Sequence, residues 1–303
     1  MKRHFNRLSV LAVALLPLSA RAETATRSRF LMGTICEITA HGPRASKAID
    51  AAFAEIARLD AVMSLFKEDS ELTKLNLRGP LEPALVSNDL FEVLHVANEV
   101  YQFSGGAYDP TFIPGAPAPG FKHVVLHPNE KSVEYKLSTI RVNLDGVGKG
   151  YALDSAGATL MARGASSALL NFGGQILAVG MPPGQDAWGV EIGGTDVTLR
   201  LRDQSVSTSS QNEQPGHIKD PRSGKPAQRP GAVAVIAEDA AHADAWSTAL
   251  FVLGVAKAPK GFPGCAFEVK GGKIGARTKA CDTFFERTKT TPQPKKATKE
   301  KTP

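Results

Sequence analysis

The chain has 303 residues and a formal net charge of +6, but that charge sits at its ends. Lys2, Arg3, Arg7 and Arg21 place +4 at the start, and five lysines less Glu300 place another +4 in residues 289–303, which leaves −2 for residues 23–288. The body therefore offers no ground for nucleic-acid binding, and the three cysteines, Cys36, Cys265 and Cys281, lack metal-ligand spacing.

Residues 1–22 read as a secretory signal, because basic residues precede an apolar run from Leu8 to Leu18 and an Ala20-Arg21-Ala22 cleavage site. The run is too short for a stable membrane span. The mature chain, from about Glu23, is expected in a bacterial periplasm, where a Cys265–Cys281 disulfide is compatible with the compartment and Cys36 would stay a buried thiol. Residues 289–303, KTTPQPKKATKEKTP, carry no large apolar residue and read as a disordered basic tail. Residues 23–288 remain as the folded domain, long enough for a sizeable core.

Arg29 to Ala40 alternates and predicts one strand with a turn or bulge at Gly33. Ile49, Phe53, Ile56, Leu59 and Met63 recur at helical spacing, so Ser46 to Met63 is an amphipathic helix. A loop follows, with Ser70 placed to cap a short segment ending at Asn76. Asp89 to Ser104 is a second helix stopped by Gly105-Gly106, and the Pro/Gly-rich stretch to Gly120 is loop. Residues 121–143 predict two or three short strands. Val142 to Ala156 then reads as strand, glycine-rich loop (Gly146, Gly148, Gly150) and helix start, continuing to about Arg163. Ser167 to Val179 predicts two strands around Gly173-Gly174, and Trp188 to Arg202 further strands. Ser205 to Pro230 reads as polar and irregular, Val233 to Ala237 as an apolar strand, and Ala240 to Leu253 as a helix ended by Gly254. The sum is a mixed α+β domain.

Each chemical candidate has two readings at this level. The Gly146–Gly150 stretch, with Lys149 inside it, is the layout of an anion cradle and also of an ordinary strand-to-helix turn. Asp244 and Thr248 lie four apart on one helix face. They could offer hard oxygens to magnesium, or serve as a helix-start carboxylate and a packed threonine. His217-Ile-Lys-Asp-Pro-Arg-Ser-Gly-Lys-Pro226 has the groups to bind phosphate and move a proton, or is a surface turn punctuated by Asp220-Pro221 and Ser223-Gly224. Ser207 to Ser210 and Asp109-Pro-Thr111 add hydroxyls and a carboxylate, while Met32 and Phe66 could pack on a flat ring or on the core.

The order of these segments resembles the FAD:protein FMN transferase family, the ApbE-like flavin-trafficking proteins, over nearly all of residues 28–285. The blocks are Met32-Gly-Thr34, Met63-Ser64 through Ser70-Glu-Leu to Asn76, Gly106-Ala-Tyr-Asp-Pro-Thr111, Leu144 to Asp154, Asn171-Phe-Gly-Gly174, Ser207-Thr-Ser209, His217 to Pro226, and Ala243-Asp-Ala-Trp-Ser-Thr-Ala249. The resemblance implies an α+β, T-fold-related architecture with a flavin cleft between sheet and helices. It also implies transfer of the FMN moiety of FAD to a Thr or Ser hydroxyl of a secreted protein, with Mg2+ on the pyrophosphate and AMP released.

By position, the resemblance makes Asp244, Thr248, Ser247 and the Gly146 carbonyl the metal ligands. Met32, Phe66, Ala107, Tyr108, Asp109, Asn143, Lys149, His217 and Ile218 become FAD contacts, with Lys149 neutralising the pyrophosphate and His217 the candidate base for the incoming hydroxyl. This chain departs from the family pattern at Asn143 and Gln175, where aspartate is usual, at Ser210, usually glycine, and at Phe66, more often tyrosine. Residues 114–142 and the loop from Ser209 to His217 are shortened. An FAD-binding protein without transfer, and an FAD pyrophosphatase giving FMN and AMP, are the alternatives.

Overall fold

A computed structural model describes residues 23–78, 82–113, 118–212 and 215–287. The signal sequence and the basic tail expected above lie outside these residues. The first half holds β1 (Glu23–Leu31), β2 (Thr34–Gly42), α1 (Ala45–Met63), α2 (Glu71–Arg78), β3 (Ala84–Leu85), α3 (Asn88–Phe103), β4 (Val124–His127) and β5 (Ser132–Tyr135). Next come α4 (Gly148–Ala162), β6 (Ser167–Phe172), β7 (Gln175–Val179), β8 (Trp188–Glu191), β9 (Thr198–Leu201) and β10 (Gln204–Ser210). Then follow β11 (Lys219–Asp220), β12 (Lys225–Pro226), β13 (Ala232–Ala237), α5 (Ala240–Leu253), β14 (Cys265–Lys270), β15 (Lys273–Arg277) and α6 (Asp282–Arg287).

Eight strands form one sheet in the order β1-β2-β6-β7-β10-β13-β14-β15, with every neighbouring pair antiparallel. Side chains alternate across it. Cys36, Ile38, Ala40, Leu170, Phe172, Val233 and Val235 join the core under the helices, whereas Val206, Ala234, Ile236 and Phe267 join a second core with Trp188, Leu199 and Leu201 of the β8–β9 hairpin. β13 is apolar throughout because both faces are covered. Helices α1, α4 and α5 lie side by side on the first face, and a small β3-β5-β4 sheet adds Ala84, Val124, Val133 and Tyr135 to the same core.

Two expectations change. The segment around Gly33 is a hairpin, not one bulged strand: Met32 and Gly33 take φ of 43° and 79°, the two left-handed residues of a tight turn, and β1 and β2 pair from Leu31↔Thr34 to Glu23↔Gly42. The segment from Ser205 is not irregular at its start, because β10, up to Ser210, runs through the middle of the sheet between β7 and β13. Its serines disguised it, since their polar side faces α5 rather than oil. Two strands after Gly254, β14 and β15, complete the sheet, and Cys265 on β14 is bonded to Cys281. Cys36 is buried and free, and burial pushes its thiol up to about 12.

Candidate functional site

The site is built on the seam where α4 and α5 start. The first three N–H groups of α5 are taken by two carboxylates: Asp154 of α4 accepts from Ala240 and Ala241 at 2.7 and 2.9 Å, and Asp239 accepts from His242 at 2.8 Å. This satisfies donors that a helix start leaves without partners. Burial raises the Asp154 carboxyl to about 7 despite those bonds. Gln175 adds a 2.7 Å bond from its amide to the Ala240 carbonyl.

The helices touch at Gly150. A Cβ there would lie 2.2 Å from the Ala240 carbonyl oxygen, so no larger residue fits without moving α5. Gly150 and Gly146 serve close approach, and the cradle reading changes accordingly. The Gly150 N–H donates to Asp244 Oδ2 at 3.2 Å, so this donor at the start of α4 holds a protein carboxylate. Gly146 lies under the Tyr108 ring and beside Thr248, with a built Cβ 3.0 Å from Tyr108 Cε2 and 3.6 Å from Thr248 Oγ1.

Hard oxygens converge here. Asp244 is buried, and its carboxylate accepts no other hydrogen bond among the described residues. Ser247 Oγ donates to the Asp244 carbonyl at 2.9 Å and lies 2.7 Å from Ser209 Oγ and 3.3 Å from Ser207 Oγ, and Ser209 is 3.4 Å from Thr248 Oγ1. Burial raises the Asp244 carboxyl, while the Lys149 charge and the Gly150 N–H pull it down. The Tyr108 hydroxyl is buried without a partner, and burial together with Asp244, Asp109 and Asp145 holds it well above the usual phenol range. A buried carboxylate, hydroxyls and an unpaired phenol fit a cation bound with an anionic ligand. Among the described residues no three His, Cys, Asp or Glu side chains converge; the oxygens gathered here are one carboxylate and hydroxyls, which are hard ligands.

Two hollows flank the segment leading into α4. One, of about 500 Å³, is lined by Phe30 to Gly33 at the β1–β2 turn, by Asp60 and Met63 to Lys67, and by Leu144, Asp145, Gly148 and Lys149. The other, of about 300 Å³, has Leu65, Leu77, Phe112, Ile113, Arg141 and Asn143 in its wall. Asn143 and Asp145 separate them through a closed turn: the Asp145 N–H donates to Asn143 Oδ1 at 2.8 Å and Asn143 Nδ2 donates to Asp145 Oδ2 at 3.0 Å. Buried Asn76 anchors the lead-in by paired 2.8 Å bonds to the Val142 N–H and carbonyl. Lys149 Nζ donates to the Asp145 carbonyl at 3.0 Å at the edge of the larger hollow.

The fourteen residues that line the larger hollow include Met32, Phe66 and Lys149. Phe66 is 92% exposed, on a loop tied down by Ser70, whose hydroxyl donates to the Ser64 carbonyl and accepts the Thr73 N–H at the start of α2. Ala107, Tyr108, Asp109 and Ile218 are buried. Asp109 accepts from Thr111 N–H and Oγ1 at 2.8 and 2.6 Å, and burial raises its carboxyl. His217 is exposed, on the loop before β11. Asp145 and Gln211 escaped the sequence reading; the Asn-x-Asp spacing at Asn143 was the available signal for the first, and a lone polar residue after a serine run gave none for the second.

Solved structures share this fold. The flavinyl transferase ApbE of Pseudomonas stutzeri, 24% identical, superimposes with a TM-score of 0.77 over 87% of this chain and 98% of that one. The ApbE protein of Thermotoga maritima, 26% identical, does so with a TM-score of 0.75 over 86% and 99%. The fold is that of these ApbE flavin-transferase structures. A model of the ApbE family matches residues 32–262, and the chain belongs to that family. The FAD:protein FMN transferase of Treponema pallidum is 28% identical over 78% of this chain and 81% of that protein, and that of Salmonella typhimurium is 27% identical over 75% and 78%.

Proposed function

We propose that this chain is an FAD:protein FMN transferase that moves the FMN moiety of FAD onto a Thr or Ser hydroxyl of a secreted acceptor and releases AMP. The observation that carries the reading is the convergence of Asp244, Ser247, Thr248 and Gly146 beside Lys149 and the larger hollow, in a chain of this family. FAD is the substrate, its pyrophosphate meeting the Lys149 ammonium and its rings the hollows on either side of the Asn143–Asp145 turn. Asp244, Thr248, Ser247 and the Gly146 carbonyl would hold Mg2+, which when bound neutralises the pyrophosphate and the leaving AMP.

The remaining work belongs to the chain. Met32 and Phe66 offer apolar surface to a flat ring, and the Tyr108 hydroxyl, kept protonated by its surroundings, is a donor ready for an incoming anion. In the transfer, the acceptor oxygen forms a bond to the phosphorus on the FMN side and the bond from that phosphorus to the AMP oxygen breaks. The hydroxyl proton passes to His217. Asn143 keeps a hydrogen-bonding side chain but spends it on Asp145, so the turn stays closed without a charge at that position.

Export is part of the proposal. It is supported by the residue pattern of 1–22 and by the Cys265–Cys281 bond, which persists in oxidising compartments. No helix of the described residues is long and apolar enough to cross a membrane.

The test is incubation of the full chain with FAD, Mg2+ and secreted proteins of the same organism, read by intact mass and by released nucleotide. A gain of one FMN on an acceptor with one AMP released supports transfer. Intact FAD beside unmodified proteins would identify a binding protein, and free FMN with AMP a pyrophosphatase. His217→Ala is expected to keep FAD affinity and lower transfer; a loss confined to affinity would remove the base role.

A further inference from the structure

We propose that Gln211 is the positioning residue for His217, an inference that rests on the base role given to His217 above. Ser207, Ser209 and Gln211 follow the two-residue period of β10, so they share the side that faces α5. The first two sit in the oxygen cluster, and Gln211, one residue beyond the strand, is about 7 Å further along. The strand thus leads from the cluster to the base.

The Gln211 amide holds the backbone on both sides of His217. Its oxygen accepts the Gly216 N–H, and its nitrogen donates to the Ile218 carbonyl at 3.0 Å and the Ala227 carbonyl at 2.7 Å. Residues 216 and 218 are therefore fixed to one side chain, and the peptide that carries His217 spans the gap. Ile218 is buried and pairs again with Ala227, whose N–H donates to the Ile218 carbonyl at 3.0 Å.

The rest of the loop is rigid in itself. Asp220 accepts three bonds from Arg222, and its carbonyl accepts the Ser223 and Gly224 N–H groups. Beyond Gln211, the Ala118 N–H fastens the turn at the Pro221 carbonyl, 2.8 Å away. Gln211 thus ties the His217 end of a stiff hairpin to the strand that carries the cluster.

Only an amide can do this, because the site needs one acceptor and two donors on a single planar group. Gln211→Glu keeps the length and the acceptor but faces two carbonyls with a carboxylate. Gln211→Ala removes the group without adding charge. A base displaced by about an ångström loses most of its advantage while a substrate bound elsewhere does not feel it.

The experiment compares the wild-type chain with Gln211→Glu, Gln211→Ala, His217→Ala and the Gln211→Ala/His217→Ala double variant. It measures FAD affinity, the turnover and KM of transfer to the acceptor found by mass gain, and hydrogen exchange over 216–227. Both Gln211 variants are expected to lower turnover about 10- to 100-fold, with FAD affinity within about twofold of wild type. Exchange should rise in 216–227 and stay unchanged in α5, and Gln211→Ala should add nothing once His217 is gone. Wild-type turnover in the Gln211 variants, with His217→Ala impaired, would overturn this inference and leave the base role standing. A further loss in the double variant would also overturn it, because Gln211 would then act apart from His217. Wild-type turnover in His217→Ala would instead overturn the base role and this inference with it.

Discussion

The two walls of the candidate site are made differently. The inner wall, at the start of α5, is buried and cross-braced from three elements: Asp154 and Gly150 of α4, Gln175 of β7, and Ser207 and Ser209 of β10. The outer wall is the β1–β2 turn and the Phe66 loop, with Phe30 and Phe66 respectively 73% and 92% exposed. The inner wall holds a carboxylate in a place where burial opposes its charge, which only a fixed surrounding can sustain. The outer wall leaves apolar surface in water, which is inexpensive one residue at a time and becomes useful when a flat ring covers it.

That contrast can be broken at its strongest point first. Asp244→Ala is expected to lower transfer by about 100-fold or more while the chain still folds, as read by AMP release and circular dichroism; undiminished release would remove Asp244 from the metal-binding assignment. Gly150→Ala should cost about 3 kcal/mol of stability in urea unfolding, because the new methyl meets the Ala240 carbonyl at 2.2 Å. A cost under ~0.5 kcal/mol would mean that the seam between α4 and α5 yields easily.

The outer wall should respond in the opposite sense. Phe66→Ala is expected to weaken FAD affinity about 5- to 10-fold and leave unfolding within ~0.5 kcal/mol of wild type; titration calorimetry and urea unfolding separate the two. A variant that lost stability and kept affinity would reverse the assignment of roles to the walls.

A pH dependence is expected at the inner wall as well. His242 is raised by its hydrogen bonds to Asp239, with Glu99 adding to them. Its contribution to stability is therefore complete below pH about 6.5 and lost as pH rises through the folded value. Asp154 is raised by burial from 3.8 to about 7, so the folded state holds a proton the unfolded chain has released, and stability falls as pH rises between those values. Urea unfolding across pH should show His242→Gln reducing the slope in the upper window and Asp154→Asn reducing it in the lower one, where Asp244 and Asp109, also raised by burial, keep the rest. Slopes unchanged by either substitution would place the titrating groups elsewhere.

Much of this was legible before the fold. Helix α5 was readable from Ala240 to Leu253 because its start is a run of good helix formers and its end is Gly254, whose φ of 91° suits glycine. The amphipathic spacing of α1 was equally plain. β10 was not readable, because a strand whose buried side meets serines and a helix start carries no apolar alternation. The β1–β2 hairpin was misjudged because methionine rarely takes the first left-handed position of a tight turn. Tyr108 could be named from its segment, but nothing local says that its hydroxyl is left without a partner.

The sequence by itself determined the composition of the site and its order along the chain: the glycines before α4, Lys149 among them, Asp244 four residues before Thr248, and His217 in a proline-bounded turn. It also determined that β13 and α5 would be interior elements, since an unbroken apolar strand and an alanine-rich helix leave no side for water. Only the tertiary structure decided which of these residues meet. Gly150 touches Ala240 and Asp244 across some ninety residues of chain, Ser209 reaches Ser247 from a strand hidden by its polarity, and Gln211 grips both sides of His217. Such contacts depend on how two helices and a sheet pack, and a pattern read along one chain holds no distance between its parts.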